Sequence, residues 1–550
     1  MFCYQCEQTG RHGTACLDVG VCGKNAETAA LQDLTVCLAK GIASYLHRAR
    51  KLGFSDSKLD KSLVKALFYT VTNVNFDANF LAQNLSVLQE KCKLARSLYE
   101  SACAQTNTTP EVLTGAVDFK PAQDLATLMA QATEISIQTR MNQLGEDIVG
   151  LQELLTYGLK GTAAYAYHAI ILGRESDEFD SFLETALDYL NLGKANVDEL
   201  FTLVLKCGEI NLQVLELLNQ AHLDNFGIPE PTQVRITPKR GHCILVSGHD
   251  LHDLESLLKA TEGKGIQIYT HGEMLPAHAY PKLKQYKHLA GNYGGAWQDQ
   301  EKEFKAFPGS ILMTTNCIQK PNDSYKQRLF TTGLVGWAGV QHLPNGQWQP
   351  LIDAALAASG FEQDEEPKTI TIGFGHNAVL NVAEQVVEAV KSGNIRRFFV
   401  VGGCDGAKTG RNYYTELATS IPNDCVILTL GCGKYRFNKE DFGDIGGIPR
   451  LLDVGQCNDA YSAVKIAMAL AEAFDTDVNH LPLSLMISWY EQKAVAVLLS
   501  LLHLGIKNIH LGPSLPNFVT SNILKVLVDK FDLKANSTVE QDLSLAFAYG

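Results

Sequence analysis

The chain has 550 residues, a formal net charge of -13 and 14 cysteines. This length exceeds what one hydrophobic core usually supports, so several domains are expected, with room for a buried cofactor. The negative charge and the lack of a Lys/Arg run argue against a nucleic-acid-binding surface, so small molecules or proteins are the expected partners.

The first residues, Met1 to Cys6, lack the basic and apolar segments of a signal peptide, and no later stretch reaches the roughly 18 apolar residues of a membrane span. We therefore expect a soluble cytosolic protein. Because the cytosol keeps thiols reduced, metal ligation explains clustered cysteines better than disulfides do. Six further cysteines fall in apolar helix or strand patterns and are expected to be ordinary buried residues: Cys37, Cys92, Cys103, Cys207, Cys243 and Cys425.

Four cysteines open the chain on a glycine-rich loop that includes Gly10. They are Cys3, Cys6, Cys16 and Cys22. Four thiolates so close in sequence suit either a tetrahedral zinc ion or an iron-sulfur cluster. The spacing by itself predicts a metal site and leaves both alternatives open.

From Ala26 to about Ala221, apolar residues recur at three- and four-residue spacing, which predicts helices. Within this region the stretch 31–53 recurs as 151–173, and the helix that follows is repeated too. We therefore predict duplicated helical bundles. His47 and His168 of this region are expected at the surface or in the core rather than in a functional site.

Gly and two prolines between 225 and 232 mark a domain boundary. After it, strand-like runs alternate with helical segments, which predicts a parallel α/β sheet; the runs are Cys243–Val246, Ile266–Tyr269 and Ser310–Met313. Each run is followed by a side chain able to bind metal, namely His249, Glu273 and Cys317. Each of these three residue types is also common as a helix cap or as a buried residue without a function.

The acidic stretch 360–367 marks a second boundary, after which the strand Thr369–Ile372 is expected to open a third domain. The Gly373-Phe-Gly375 turn that follows resembles a dinucleotide fingerprint. No acidic residue closes the next strand to accept a ribose hydroxyl, so close packing accounts better for these glycines.

Four later strand-like runs, 398–401, 426–430, 451–454 and 483–488, are each followed by a metal-capable residue. These residues are Cys404, Cys432, Cys457 and Glu491. Open α/β sheets bind ligands at the carboxyl ends of their strands, so the seven strand-end residues are expected to converge. Four thiolates, one imidazole and two carboxylates are too many for one zinc ion and suit a multinuclear iron cluster with open positions for a substrate.

These motifs, taken in order, resemble the hybrid-cluster protein family, also called prismane proteins or hydroxylamine reductases. The likeness runs from the first cysteines to the end of the chain. It rests on Cys3-x2-Cys6, Ser247-Gly-His249-Asp, His271-Gly-Glu273-Met, Thr315-Asn-Cys317, Gly403-Cys404-Asp-Gly, Gly431-Cys432-Gly, Gly455-Gln-Cys457-Asn and Trp489-Tyr-Glu491-Gln-Lys493.

The resemblance implies an all-α N-terminal domain over 1–225 and two Rossmann-like α/β domains over 226–365 and 366–550, with the main site at their interface. It implies a hybrid iron-sulfur-oxygen cluster held by His249, Glu273, Cys317, Cys404, Cys432, Cys457 and Glu491. Cys404 matches the family's persulfide-bearing position, and Lys493 matches its lysine beside the cluster. Cys3, Cys6, Cys16 and Cys22 would hold a second cluster, and their spacing favours 4Fe-4S over 2Fe-2S.

The activity implied is reduction of hydroxylamine to ammonia and water, with electrons relayed by the N-terminal cluster from an iron-sulfur or flavin reductase. Lys493, Glu491, Glu273 and His271 are the candidate proton donors. The alternatives are nitric oxide or peroxide reduction at the same site, or a sensor of redox or nitrosative stress without turnover. A nickel-iron carbon monoxide dehydrogenase is a further alternative, and Glu273 and Glu491 argue against it.

Overall fold

The computed structural model describes residues 1–9, 13–344, 346–407 and 410–548, so Gly10 of the cysteine loop lies outside the described part. The first half of the chain is helical, as predicted. Its helices are α1 Ala26–Lys51, α2 Ser57–Tyr69, α3 Ala78–Thr106, α4 Leu125–Glu134, α5 Ile137–Leu144, α6 Glu146–Ile171, α7 Asp177–Asn191 and α8 Val197–Phe226. The two repeated segments lie in α1 and α6, which have 26 residues each.

The middle of the chain forms a parallel sheet with helices on its faces. The strands and helices of this part of the chain are β1 Thr232–Arg235, β2 His242–Ser247, α9 Leu251–Thr261, β3 Ile266–His271, α10 Pro281–Lys284, β4 Leu289–Asn292, α11 Gln300–Ala306, β5 Ser310–Met313, β6 Leu329–Thr332, β7 Gln341–Leu343 and α12 Gln349–Ala357. The strand order is β4-β3-β2-β5-β6-β7, and every pairing in this sheet is parallel.

The last third of the chain builds a second sheet of the same kind. The elements of this part of the chain are β8 Thr369–Ile372, α13 His376–Leu380, α14 Ala383–Lys391, β9 Arg397–Gly403, α15 Asn412–Ser420, β10 Cys425–Leu430, β11 Asp444–Ile445, β12 Ile448–Pro449, β13 Leu451–Gly455, α16 Ala460–Ala473, β14 Leu483–Ser488, α17 Gln492–His503, β15 Ile509–Gly512, α18 Ser521–Phe531, β16 Lys534–Ala535 and α19 Val539–Ala548. The parallel order is β13-β10-β9-β14-β15-β16.

Both sheets have the strand order of a Rossmann fold, in which the chain starts in the middle and reverses direction at a switch point. The switch points lie between β2 and β5 in the first sheet and between β9 and β14 in the second. The strand β8, predicted to open the third domain, instead pairs antiparallel with β1. Gly373 just after it packs against the Glu230 backbone, which confirms close packing as the reason for this glycine.

Helix α17 ties the second sheet to the helical region, because it packs between α6 and α8. Glycines allow this close approach: a Cβ at Gly161 of α6 would overlap the Gln492 carbonyl, and one at Gly208 of α8 would overlap the Leu499 carbonyl. The first turn of α17, which follows Glu491, is therefore held rigidly. Within the described residues, no helix is both long and apolar enough to span a bilayer.

Replacing Gly208 with alanine is expected to destabilise the protein by about 2 kcal/mol, since overpacking against a fixed backbone outweighs the helix propensity gained. Urea denaturation followed by circular dichroism measures this change. The exposed Gln220 lies on the same helix, and Gln220→Ala should shift stability by less than about 0.5 kcal/mol. Equal stability of the two variants would contradict the tight packing.

Candidate metal centres

The N-terminal cysteines lie together in one loop. Cys3 and Cys16 form an antiparallel bridge, in which the Cys3 N–H donates to the Cys16 carbonyl at 3.1 Å and the reverse bond is 2.8 Å long. Burial raises the pKa of the Cys6 thiol, and the neighbouring Cys22, Cys3 and Cys16 thiols add to the rise. These thiols are therefore close enough to act on one another, as a shared metal site requires.

The structure brings the seven predicted strand-end residues to one small buried cavity. They follow strands of both sheets, at and beside the two switch points, where this fold binds ligands. The cavity is lined by His249, Glu273, Cys317, Cys404, Cys432, Cys457 and Glu491, together with Thr72, Asn73, Trp297, Asn316, Tyr490 and Lys493. The prediction that these side chains converge is confirmed.

Residues of the two sheets meet directly in this cavity. The ligand atoms of His249, Glu273 and Cys457 all lie within 4.8 Å of one another, and His249 Nε2 is 3.7 Å from Glu273 Oε2. The Cys457 N–H donates to Glu273 Oε2 at 2.8 Å. Lys493 Nζ lies 3.0 Å from His249 Nε2 and 3.7 Å from Glu491 Oε1.

The remaining thiols are also crowded. Contact with the Cys317 side chain raises the pKa of Cys432, and burial raises it further. Burial raises the pKa of Cys404, to which Glu491 and Cys457 add. Cys317 has a φ of 81°, in the left-handed region that side chains rarely adopt. Such strain in a non-glycine residue is typical of functional sites.

Burial shifts the pKa values of the acidic and basic groups of the cavity in opposite directions. It raises the pKa of both Glu273 and Glu491. Burial alone would lower the pKa of Lys493, but Cys457, Glu491 and the other thiols raise it above its usual value, so this side chain is an ammonium. Burial and the Lys493 charge together lower the pKa of His249, which leaves the neutral imidazole that binds metals.

The donor set fits a cationic multinuclear cluster. Cys317, Cys404, Cys432 and Cys457 are free thiols. Within the described residues, Glu273 Oε1 has no hydrogen-bond partner, and the buried Tyr165 hydroxyl faces the Cys457 thiol. Buried polar atoms without a partner are rare in native proteins, and a bound cation would satisfy the Glu273 oxygen. Metal cations here would also relieve the crowding of thiols and carboxylates that raises the pKa values.

His271 is the one candidate proton donor that does not line this cavity. Its Nδ1 lies 2.9 Å from Ser247 Oγ and its Nε2 lies 2.8 Å from Glu303 Oε2. Both ring nitrogens are engaged at the end of β3. The proton-donor role of His271 therefore stays a prediction for a residue outside the cavity lining.

The sequence did not identify several residues around the cavity. His168, expected in the core or at the surface, is buried, and its ring centroid is 6.3 Å from that of His249. Trp297 stacks on Tyr490 at 4.6 Å, and Lys493 Nζ lies 3.0 Å from Asn316 Oδ1. Asn316 and Tyr490 carried a signal, because each directly precedes a predicted ligand, Cys317 or Glu491, in a motif already singled out.

The N-terminal cysteine loop contacts the cavity wall at Tyr490. The Glu7 N–H donates to the Tyr490 carbonyl at 2.9 Å, and the Tyr490 hydroxyl donates to Asn73 Oδ1 at 2.7 Å. Burial raises the pKa of Tyr490, and the Cys6, Cys22 and Cys317 thiols raise it further. Tyr490 therefore lies between the two groups of thiols.

A model of the Prismane/CO dehydrogenase family matches residues 1–544. The chain belongs to this family. It is 54% identical over 557 residues to a protein of Acidithiobacillus ferrooxidans named hydroxylamine reductase, with 100% of both chains covered. A Geobacter sulfurreducens protein of the same name is 54% identical over 549 residues, with 99% of each chain covered.

Solved structures of carbon monoxide dehydrogenases share the prismane-family fold of this chain. The nickel-free enzyme from Thermococcus sp. AM4 matches with a TM-score of 0.56 and 16% identity, covering 100% of this chain and 90% of that one. Carbon monoxide dehydrogenase IV from Carboxydothermus hydrogenoformans matches with a TM-score of 0.56 and 16% identity, covering 99% and 92%. This likeness concerns the fold alone and agrees with a helical part followed by parallel-sheet α/β parts.

In this prismane-family chain, Gln456 joins the two sheets behind the cavity. Its Nε2 donates to the Glu273 carbonyl at 2.7 Å and to the His249 carbonyl at 3.1 Å. Gln456→Leu leaves two buried carbonyls without this donor, so we expect a loss of about 2 kcal/mol or more in urea denaturation. Gln138 is exposed on α5, and Gln138→Leu is the control. A loss no larger than that of the control would contradict the bridging role.

Proposed function

We propose that this chain is a hydroxylamine reductase, which uses two electrons and two protons to convert hydroxylamine to ammonia and water. The observation that carries the proposal is the cavity itself, where four thiols, two carboxylates and a neutral imidazole surround a buried ammonium, Lys493. The name of the relatives at 54% identity over the full length supports the same activity.

The proposed cofactors are two clusters. A hybrid iron-sulfur-oxygen cluster would be held by His249, Glu273, Cys317, Cys404, Cys432, Cys457 and Glu491, with a persulfide at Cys404. A 4Fe-4S cluster would be held by Cys3, Cys6, Cys16 and Cys22. Thiolates suit iron-sulfur clusters, and the oxygen and nitrogen ligands suit harder irons with exchangeable positions. Bound iron of this kind supplies electrons and an electrophilic site for the substrate oxygen.

Lys493 is the proposed proton donor to the substrate. Its Nζ holds a proton within a buried cavity and lies 3.7 Å from Glu491 Oε1. Glu491, the N-cap of α17, is itself held in place because its Oε2 accepts the backbone N–H of Lys493 at 2.8 Å. The adjacent Asn316 Oδ1 orients the same ammonium at 3.0 Å. Proton donation from a group in hydrogen-bond reach is what N–O cleavage to ammonia and water needs. Glu273 and Glu491 are the proposed acids that return protons to Lys493.

Electrons are proposed to enter at the N-terminal cysteines from an iron-sulfur or flavin reductase. Tyr490 lines the buried cavity and its carbonyl accepts the Glu7 N–H of the cysteine loop at 2.9 Å. Gln492 Nε2 also fixes this loop by donating to the Gln5 carbonyl at 2.5 Å. These direct contacts between the loop and the cavity wall support a relay from one group of thiols to the other.

Cys6→Ala is expected to remove the iron bound by the N-terminal loop while the buried cavity keeps its own, because the two ligand sets are separate. Iron and sulfide quantitation of anaerobically purified protein measures this. Cys92 is buried in α3 away from both sets, and Cys92→Ala should keep all its iron. An iron content of Cys6→Ala equal to that of the wild type would contradict a cluster held by the N-terminal cysteines.

The activity is tested by anaerobic turnover with reduced methyl viologen as electron donor. We expect hydroxylamine-dependent oxidation of the dye with ammonia formed in equal amount to the hydroxylamine consumed. The rate of hydroxylamine reduction by Glu491→Gln should be well below that of the wild type. A protein that accepts electrons but consumes no hydroxylamine would overturn the proposal and favour the sensor alternative.

Nitric oxide is the second candidate substrate, and an apolar cavity favours it. This cavity of about 760 Å³ extends from Cys404 and Cys457 to the half-exposed Met468. Its walls are mainly Ala, Val, Leu and Ile side chains, which suit a small uncharged gas better than a polar molecule. Parallel assays with nitric oxide and hydroxylamine at the same enzyme concentration separate the two.

We also propose the division of the chain into 1–225, 226–365 and 366–550, with the cavity at the interface of the two α/β parts. The equal lengths of α1 and α6 and the repeated sequence they carry support a duplicated helical bundle in the first part.

A further inference from the structure

A second large cavity lies in the helical part of the chain, between α1 and α6. Its volume is about 590 Å³, within the range of small-molecule sites. One end reaches Cys3, and the other reaches the exposed residues Glu134 and Gln143. The repeated segments supply matching walls, with Gln32, Asp33 and Lys40 from α1 and Gln152, Glu153 and Lys160 from α6.

The charges of this cavity do not cancel in its interior. The lining contains the cations Lys24, Lys40, Arg140 and Lys160 and the carboxylates Asp33, Asp118, Glu134 and Glu153. Arg140 is paired with Glu153 at 2.5 Å. Asp118 and Glu134 are exposed at the rim, where water screens them. Of the remaining lining groups, three lysines therefore face one carboxylate, Asp33, which is itself exposed.

Lys40 and Lys160 are the cations with the fewest partners. Within the described residues, Lys40 Nζ has no hydrogen-bond or ion-pair partner, and Lys160 Nζ has a single contact of 3.3 Å to Gln5 Oε1. The pKa of each lysine is lowered to about 8, first by burial and then by a neighbouring cation, which is Arg140 for Lys40 and Lys24 for Lys160. Positive charges therefore lie close together in the cavity wall, and a bound anion would reduce the repulsion between them.

Gln32 adds an independent sign of a missing partner. Its side chain is 4% exposed, and its Nε2 donates to the Asn75 carbonyl at 3.0 Å. Within the described part of the chain, its Oε1 has no hydrogen-bond partner. A buried amide oxygen without a partner is unusual in a native protein. Because it accepts hydrogen bonds, it would receive an O–H or N–H group of a ligand, and not the oxyanion itself.

We propose that this cavity binds a small molecule bearing a carboxylate or phosphate group, with Lys40 and Lys160 as its ligands. Lysine ammonium groups form short, charge-assisted hydrogen bonds to such oxyanions. The two lysines come from equivalent positions of the repeat, so the site lies where the two halves of the helical part face each other. Cys3 and Lys24 line the same cavity.

Isothermal titration calorimetry on the full chain tests the proposal, with inorganic phosphate and succinate as separate probes at constant ionic strength. We expect saturable binding of at least one probe, and the probe that binds identifies the oxyanion class. Lys40→Gln and Lys160→Gln should each weaken binding about tenfold or more, as loss of a charge-assisted hydrogen bond does. Lys51 is exposed on the same helix as Lys40, and Lys51→Gln should bind as the wild type does.

The proposal is overturned if neither probe binds the wild type saturably, or if both glutamine variants bind as tightly as the wild type. Circular dichroism shows whether the variants fold. If one does not, the wild type still decides, because the heat of binding of a specific ligand saturates at constant ionic strength and a general salt effect does not. No hydroxylamine is present in these experiments, so their result is independent of the proposed reductase activity.

Discussion

Lys493→Met is expected to lower kcat for hydroxylamine reduction by about a hundredfold to ten-thousandfold, the range that a positioned general acid contributes. The Lys493 ammonium is fully buried and lies 3.0 Å from both His249 Nε2 and Asn316 Oδ1. Methionine preserves the length of the side chain and removes its proton. The measurement is steady-state turnover with reduced methyl viologen, together with the iron content of each preparation.

Lys507 provides the matched control, because it is exposed after α17. Lys507→Met should retain the wild-type rate and the wild-type iron content. A fully active Lys493→Met protein would remove this lysine from proton delivery. If Lys493→Met instead loses its iron, the residue stabilises the cluster site, and the role as an acid is not supported.

Arg411→Met is expected to destabilise the protein by about 3 kcal/mol, near the lower end of the cost of breaking a buried ion pair. The Arg411 guanidinium is 1% exposed and lies 2.9 Å from Glu7 Oε2 and 3.0 Å from Asp405 Oδ1. It also donates to the Trp489 carbonyl at 3.0 Å. It thus joins the N-terminal cysteine loop to the segments that carry Cys404 and Glu491. Arg436 still faces Asp405 in the variant, which limits the loss.

Urea denaturation of the wild type and of Arg411→Met measures this loss of stability. Arg396 pairs with Asp424 at 3.0 Å on the surface, where 51% and 44% of the two side chains are exposed. Arg396→Met should therefore cost less than about 1 kcal/mol. An Arg411 variant as stable as the Arg396 variant would show that the buried ion pairs do not hold the two regions together.

The strand ends were predictable because each follows a short apolar run, a local pattern. Cys404, Cys432 and Cys457 come directly after β9, β10 and β13, and parallel strands bring their carboxyl ends to one edge. The convergence of both sheets on one cavity was expected from the same rule, because each sheet binds ligands at this edge, and the resemblance to a family added the kind of cluster that these residues would hold.

Other features could not be read from the sequence because they depend on contacts between distant segments. The contact of Glu7 with Tyr490 joins residues at opposite ends of the chain. His271 looked like a donor because it stands beside Glu273, but its ring turns toward Ser247 and Glu303. His168 lies on α6, which is buried on nearly every side, so the apolar spacing that predicts the helix does not show what this histidine faces.

Anomalous diffraction recorded on both sides of the iron absorption edge, from anaerobically grown crystals, tests the central claim most directly. The account predicts iron at two separate places, one enclosed by the four N-terminal cysteines and one with several irons among His249, Glu273, Glu491 and the four strand-end cysteines. Iron signal absent from the strand-end cavity, or a single zinc ion there, would contradict it.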